Sequence, residues 1–279
     1  MNRITYISDF YADEVVGGGE LNDDVLIKEL DRLGYDIELH KSETVRILDI
    51  QQAESIVVSN FCLLPNAIIK KILNKKYIIY EHDHKYLRHR NPSIYADYLA
   101  PKLEIVNREF YKNASAVLCQ SDFHANIVRK NLQLENIISL GGNLWSDESF
   151  DIFEQICKLP KNRTHAILNC KQPHKGTKKA IYYCNTNNID YELIADVDPI
   201  NFLKKLGAHG TLVFFPETPE TLSRIVVEAR MMGMSTKTTK NIGAIHEDWF
   251  HKKGVALIEH MKNKKKNIVK TVLENLNEQ

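Results

Sequence analysis

The sequence predicts an α/β protein built twice over, and three observations carry that prediction. Short runs rich in Val, Ile and Tyr alternate with helical patterns along most of the chain. The alternation breaks once, at a stretch rich in glycine, asparagine and serine near the middle. The length of 279 residues suits two domains, each able to bury its own core. Strands that alternate with helices pair in parallel, because each helix carries the chain back across the sheet, and such sheets are covered on both faces.

The first strand is "RITYISDF" (3–10). After it come "GGGE" (17–20) and a helical run in which Leu21, Val25, Leu26, Leu30 and Leu33 share one face, ended by Gly34. The pattern continues with strands at 35–40 and 55–61, a helix at 66–74, a strand at 76–82, and a helix around 103–113. A strand at 115–121, a helix at 122–132 and a strand at 137–142 complete the first half. "GGNLWSDES" (141–149) reads as a linker, which sets the domains at 1–142 and 143–279. The second half repeats the theme with a strand at 165–170, a helix at 176–187, a strand at 190–196 and a helix at 199–207. A strand at 211–216 and a helix at 220–233 follow, and 246–279 is mostly helical. Two Rossmann-like halves in tandem result.

Composition narrows the function. Hydrophobic residues make up 43% and charged residues 26%, an ordinary globular balance, and the formal net charge is +1. A protein whose main business is coating nucleic acid needs a net basic field, which this chain lacks. Its one conspicuous basic run, "MKNKKKN" (261–267), reads as a solvated helix face. No apolar run reaches about 18 residues and no secretory leader is visible at Met1, so the expectation is a soluble, cytoplasmic protein. The five cysteines are scattered without a C-x-x-C pair, which argues against a disulfide framework or a zinc site.

Open parallel sheets bind ligands at the carboxyl ends of their strands, and that location selects the candidates. "GGGE" follows the first strand and opens a helix, where free backbone N–H groups can hold a phosphate, although a plain turn uses glycines too. "NCKQPHKG" (169–176) also lies at a strand end, and its Lys171 and Lys175 would converge on a diphosphate. In "FFPETPETLSRIVVEARMMGM" (214–234), Glu220 falls in the first turn of the expected helix, where dipole compensation alone would explain it. Glu228 is different. It lies inside an apolar segment and needs a hydroxyl or cationic partner, such as a ribose diol.

The spacing of Glu220 and Glu228, with Ala229 after them, resembles the glutamate-seven-residues-glutamate signature of retaining glycosyltransferases of the GT-B fold, especially family 4. The resemblance extends, in order, over the glycine loop, "YEHDH" (80–84), "AVLCQSDFHANIV" (116–128) and the basic loop ending in Lys175 and Gly176. It implies two Rossmann-like domains facing across a cleft. The first is the acceptor side and the second binds a nucleotide sugar, which serves as substrate with no cofactor or metal. By the same resemblance Glu228 would bind the ribose hydroxyls and Glu220 the donor sugar hydroxyls. Lys171 and Lys175 would neutralise the diphosphate, which Gly18 and Gly19 would also approach. His82, or alternatively His84, would stand beside the donor sugar. The acceptor implied is a glycan, a lipid or a small molecule, with modified DNA a further candidate. This chain departs from the family in having "TLS" (221–223) where a glycine-aromatic-glycine turn is usual. Two rival readings stay open: a degenerate nucleotide-sugar binder, and a metal-dependent GT-A-like transferase using Asp196 and Asp198.

Overall fold

The computed structural model describes residues 3–277 and divides the chain into two compact units. The first runs to Leu144 and takes back the chain from Lys264 onward; the second spans Trp145–Asn263.

In the first unit, β1 (Arg3–Ser8), β2 (Asp36–Lys41), β3 (Ser55–Val58), β4 (Tyr77–Glu81), β5 (Ala116–Cys119) and β6 (Ile137–Ser139) form one sheet. All pairs are parallel, in the order β2-β1-β3-β4-β5-β6. Successive side chains on a strand point to opposite faces, so each apolar strand feeds two cores. Ile7, Val58, Ile79 and Val117 pack on one face with α2 (Ile47–Gln52), α3 (Asn66–Ile72), α4 (Arg108–Asn113) and α5 (Asp122–Leu132). Tyr6, Val57, Ile78 and Leu118 pack on the other with α1 (Gly18–Arg32). The buried face of α1 differs from the expected one. It carries Asn22 and Asp23 beside Val25, Leu26 and Leu30, while Leu33 is exposed.

The second unit contains α6 (Asp147–Cys157), β7 (Asn162–Leu168), α7 (Thr177–Thr186), β8 (Tyr191–Ile194), α8 (Pro199–Gly207), β9 (His209–Phe214), α9 (Arg224–Met231) and β10 (Ser235–Thr238). Its sheet is parallel, in the order β10-β9-β7-β8. Ala166, Leu212 and Phe214 face a core shared with α6, α8 and α9; Ile167 and Val213 face Ala180 and Cys184 of α7.

Four features differ from the sequence reading. The "linker" holds the start of α6, because Ser146 caps it by accepting from Ser149 N at 3.1 Å and Phe150, Phe153 and Ile156 bury its inner face. The edge strand β10 went unread because "STKT" lacks any apolar alternation. The terminal helix α10 (Val255–Asn277) does not belong wholly to the second domain. Leu257, Ile258 and Met261 pack in the second unit, but Ile268, Val269, Val272 and Leu276 complete the core of the first against Val25, Leu26 and Leu30. Nor is the basic run uniformly solvated. Lys265 is buried and bonds Glu29 at 3.0 Å, and the Lys264 side chain lies over Gly142. Among the described residues, no helix is long and apolar enough to cross a membrane.

Candidate functional site

Lys175 and Glu220 meet where the loop after β7 comes against the end of β9, and Glu228 lies further on, within α9. The loop after β7 is pinned by Thr177, whose hydroxyl donates to Leu168 O at 2.7 Å. Gly176 has φ +69°, and a Cβ there would stand 1.9 Å from Phe215 O, so only glycine lets this loop come against the end of β9. The approach sets Lys175 Nζ 2.8 Å from Glu220 Oε1. Lys171, four residues earlier, is exposed in the same loop.

Glu220 does not lie in a helical first turn. Ser223 takes a left-handed conformation (φ +77°) and delays α9 to Arg224, so the dipole explanation for Glu220 fails. Instead its backbone forms a parallel bridge with Ile242, with Glu220 N donating to Asn241 O (2.8 Å) and Gly243 N to Glu220 O (2.9 Å). Ser223 is buried, and its Oγ has no hydrogen-bond partner among the described residues. A left-handed serine with an unsatisfied buried hydroxyl, in the turn between Glu220 and α9, marks a functional place more than a stabilising one.

Glu228 has the inward position expected, but the protein itself supplies partners. Trp145 Nε1 donates to Glu228 Oε1 at 3.0 Å, and Arg224 Nε stands 3.4 Å from the same oxygen. The Arg224 guanidinium also covers the Trp145 ring at 4.7 Å. Of the hydroxyl or cationic partners expected for Glu228, the chain itself supplies a cation, Arg224, together with the indole N–H of Trp145. Trp145 was missed because it lies in the stretch read as linker, and the sequence reading gave Arg224 no role at Glu228.

Asp196 and Asp198 have local duties. Asp196 pairs with Lys205 at 2.8 Å, which holds its carboxyl below the ordinary range, and Asp198 caps α8 by accepting from Asn201 N at 2.6 Å.

In the first unit, α1 begins at Gly18 with Gly17 as an N-cap that has no side chain to offer. Gly19 packs under His82, where an added Cβ would meet the ring at 3.3 Å. His82 Nε2 lies 2.6 Å from Asp23 Oδ1 and its Nδ1 2.7 Å from Gln120 Nε2, while Tyr80 stacks on the ring at 5.0 Å. In this arrangement Nε2 faces the buried carboxylate and Nδ1 faces the side-chain amide, so both ring nitrogens are engaged. Asp23, which also accepts from Ser59 Oγ, and Gln120 escaped the sequence reading. A carboxylate amid the apolar positions of α1 was the available signal. His84 sits apart, enclosed by Tyr86 and His124, and burial pushes its pKa down to about 4. The geometry thus puts His82, and not His84, against the glycine loop.

No protein-family model matches the sequence, and no curated protein matches it. Solved structures do. A glycosyltransferase from Rickettsia africae superposes with a TM-score of 0.58 at 13% identity, over 99% of both chains. Anabaena HepE in complex with UDP and glucose does so with 0.56 at 13% identity, over 97% of this chain and 89% of that one. An α-glucosyltransferase in complex with UDP and a 13-mer DNA containing an HMU base reaches 0.50 at 9% identity, over 98% and 94%. With two parallel sheets, each in an α/β unit, the fold is that of the GT-B glycosyltransferases. A single-domain GT-A architecture is excluded.

Proposed function

We propose that the protein is a retaining glycosyltransferase of the family 4 type. It moves a sugar from a nucleoside diphosphate donor to a hydroxyl acceptor in the cytoplasm and needs no metal. The observation that carries this reading is the pair of carboxylates in the second unit, one in the loop after β9 and one in α9, each held by a cation: Glu220 by Lys175, and Glu228 by Arg224 with Trp145.

Glu228 would accept hydrogen bonds from the ribose hydroxyls, its orientation set in advance by the indole and guanidinium. Pre-set partners of this kind reduce the ordering cost of binding. Glu220 would accept from the donor sugar hydroxyls. As the bond from the anomeric carbon to the phosphate oxygen breaks, its electron pair goes to the diphosphate, and Lys175 and Lys171 offset the charge that develops there. The acceptor hydroxyl forms the new bond on the same face and passes its proton to the leaving phosphate oxygen. The resemblance assigns Gly18, Gly19 and His82 to the same donor, with Asp23 and Gln120 holding the imidazole. The acceptor class is a glycan, a lipid or a small molecule, and the neighbour bound to modified DNA makes that a further candidate.

A thermal-shift screen against UDP, GDP and ADP sugars tests the reading. A donor at about 100 times its Kd adds roughly 2.7 kcal/mol to the folded state and raises the melting midpoint. Transfer should survive EDTA. If no nucleotide sugar raises the midpoint, the reading is wrong. A second reading, binding without turnover, is favoured by the Lys175–Glu220 pair, since each group occupies the other. Release of free sugar or product from the bound donor decides between the two.

A further inference from the structure

The first unit contains a cavity of about 350 Å³ at the carboxyl ends of β3 and β4, at the small end of the range typical of ligand sites. Its charged lining consists of Lys85, Arg88 and Arg90, with no carboxylate among the lining residues. Phe61 and Leu87 also line it, with the amides of Asn66 and Asn107, and most of the surface it presents is polar. Carboxylates stand behind the cations. Asp83 lies 3.1 Å from Lys85 and 3.3 Å from Arg90, Glu81 lies 2.6 Å from Lys85, and Glu104 lies 3.7 Å from Arg88.

Two features separate this arrangement from ordinary surface ion pairs. Lys85 is 3% exposed, and a buried ion cluster is costly to desolvate and a weak source of stability, so its retention calls for another reason. Arg90 holds a left-handed backbone (φ +50°), a conformation that disfavours side chains, and from it donates to Cys62 Sγ at 3.1 Å. The loop under the cavity is fixed as well, since Asp9 accepts from Cys62 N and Leu63 N at 2.8 and 3.1 Å. The site is also joined to the glycine loop. Lys85 donates to Asn60 Oδ1 at 3.4 Å, and Asn60 Nδ2 donates to Glu20 Oε1 at 3.1 Å.

We propose that this cavity is the acceptor subsite and that it takes an acceptor bearing a phosphate group, with Arg88 and Arg90 holding the phosphate. The inference rests on the glycosyltransferase reading and adds the acceptor's chemical class to it. Half-exposed guanidinium groups suit phosphate because their planar forks donate two parallel bonds. Lys85, fully paired, contributes field rather than contact.

The phosphate could belong to a soluble sugar phosphate or to a phospholipid headgroup, and the test has an arm for each. The full-length protein is titrated by calorimetry with a hexose phosphate and with the free hexose. It is also sedimented with phosphatidylinositol vesicles and with vesicles of a neutral, phosphate-free galactolipid. At least one phosphorylated probe should bind, and its unphosphorylated or neutral counterpart should bind at least tenfold more weakly. Arg88→Ala and Arg90→Ala should each weaken that binding by about tenfold or more, the effect of losing one charge-assisted contact. Both substitutions should leave UDP titrations and the melting midpoint near wild type. Binding of the hexose phosphate assigns a soluble acceptor; binding confined to phosphatidylinositol vesicles assigns a headgroup. The inference is overturned if neither phosphorylated probe binds, if phosphorylated and unphosphorylated probes bind alike, or if both arginine variants bind like wild type. Absence of UDP binding by the wild-type protein would instead remove the transferase reading, a separate result.

Discussion

Glu228 offers the sharpest test, because its structural and binding roles separate in two substitutions. Its side chain and that of Arg224 are each 12% exposed, so the pair is largely withdrawn from water. Glu228→Ala strips the indole N–H of Trp145 of its acceptor and removes the carboxylate beside the Arg224 guanidinium. Breaking a buried pair from one side costs about 3–5 kcal/mol, and residual exposure together with the Trp145 ring under Arg224 points to the lower end, about 3 kcal/mol. Glu228→Gln keeps an oxygen for Trp145 and loses only the charge, so it should cost about half as much or less. Binding should rank the variants differently. Hydrogen bonds to a carboxylate contribute roughly 1.5–3 kcal/mol each and neutral ones roughly 0.5–1.5. Two ribose hydroxyls therefore lose about 2–3 kcal/mol in the glutamine variant, a 30- to 150-fold weaker Kd for UDP. Urea denaturation reads the first quantity and calorimetric titration with UDP the second. A glutamine variant that binds UDP as well as wild type would refute the assignment of Glu228 to the ribose. An alanine variant as stable as wild type would refute the account of the ion pair.

The remaining expectations concern stability. Ile268→Ala should cost about 2–5 kcal/mol in urea, because this fully buried residue of α10 completes the core of the first unit; no loss would mean that the terminal helix is dispensable there. Ser223→Gly should raise the melting midpoint by the equivalent of about 1 kcal/mol, through relief of φ +77° and removal of a buried unpaired hydroxyl, and a drop would show that the turn is unstrained. The protein should weaken on acidification. Burial holds His84 at about 4 instead of 6.5, so between those values the unfolded chain binds a proton that the folded chain refuses. The contribution is whole above pH 6.5 and is lost as the pH falls toward 4, about 3 kcal/mol in all. Denaturant midpoints at pH 7 and pH 4.5 should differ less in His84→Gln, and an equal loss in both proteins would sink the assignment.

How much of this was legible in the residues depended on the range of the interaction. The bounds of α5 (Asp122–Leu132) and α8 (Pro199–Gly207) agree with the sequence reading to the residue, since each is announced by its own cap, Ser121 or Asp198. The α9 boundary did not agree, because nothing in "ETLS" signals that Ser223 will turn left-handed and release Glu220 to pair with Ile242 in a strand-like segment further along the chain.

By itself the sequence determined the layered α/β architecture and the strand-end positions of its glycines and lysines. Period and turn chemistry are local properties, and local propensity writes them into consecutive residues. Tertiary structure alone decided who meets whom: Trp145 and Arg224 at Glu228, Asp23 at His82, the second half of α10 in the first unit's core, and three cations around one cavity. Those pairings join residues up to hundreds of positions apart, and they exist because burying a charge or an apolar stripe is favourable only where the folded chain brings its complement.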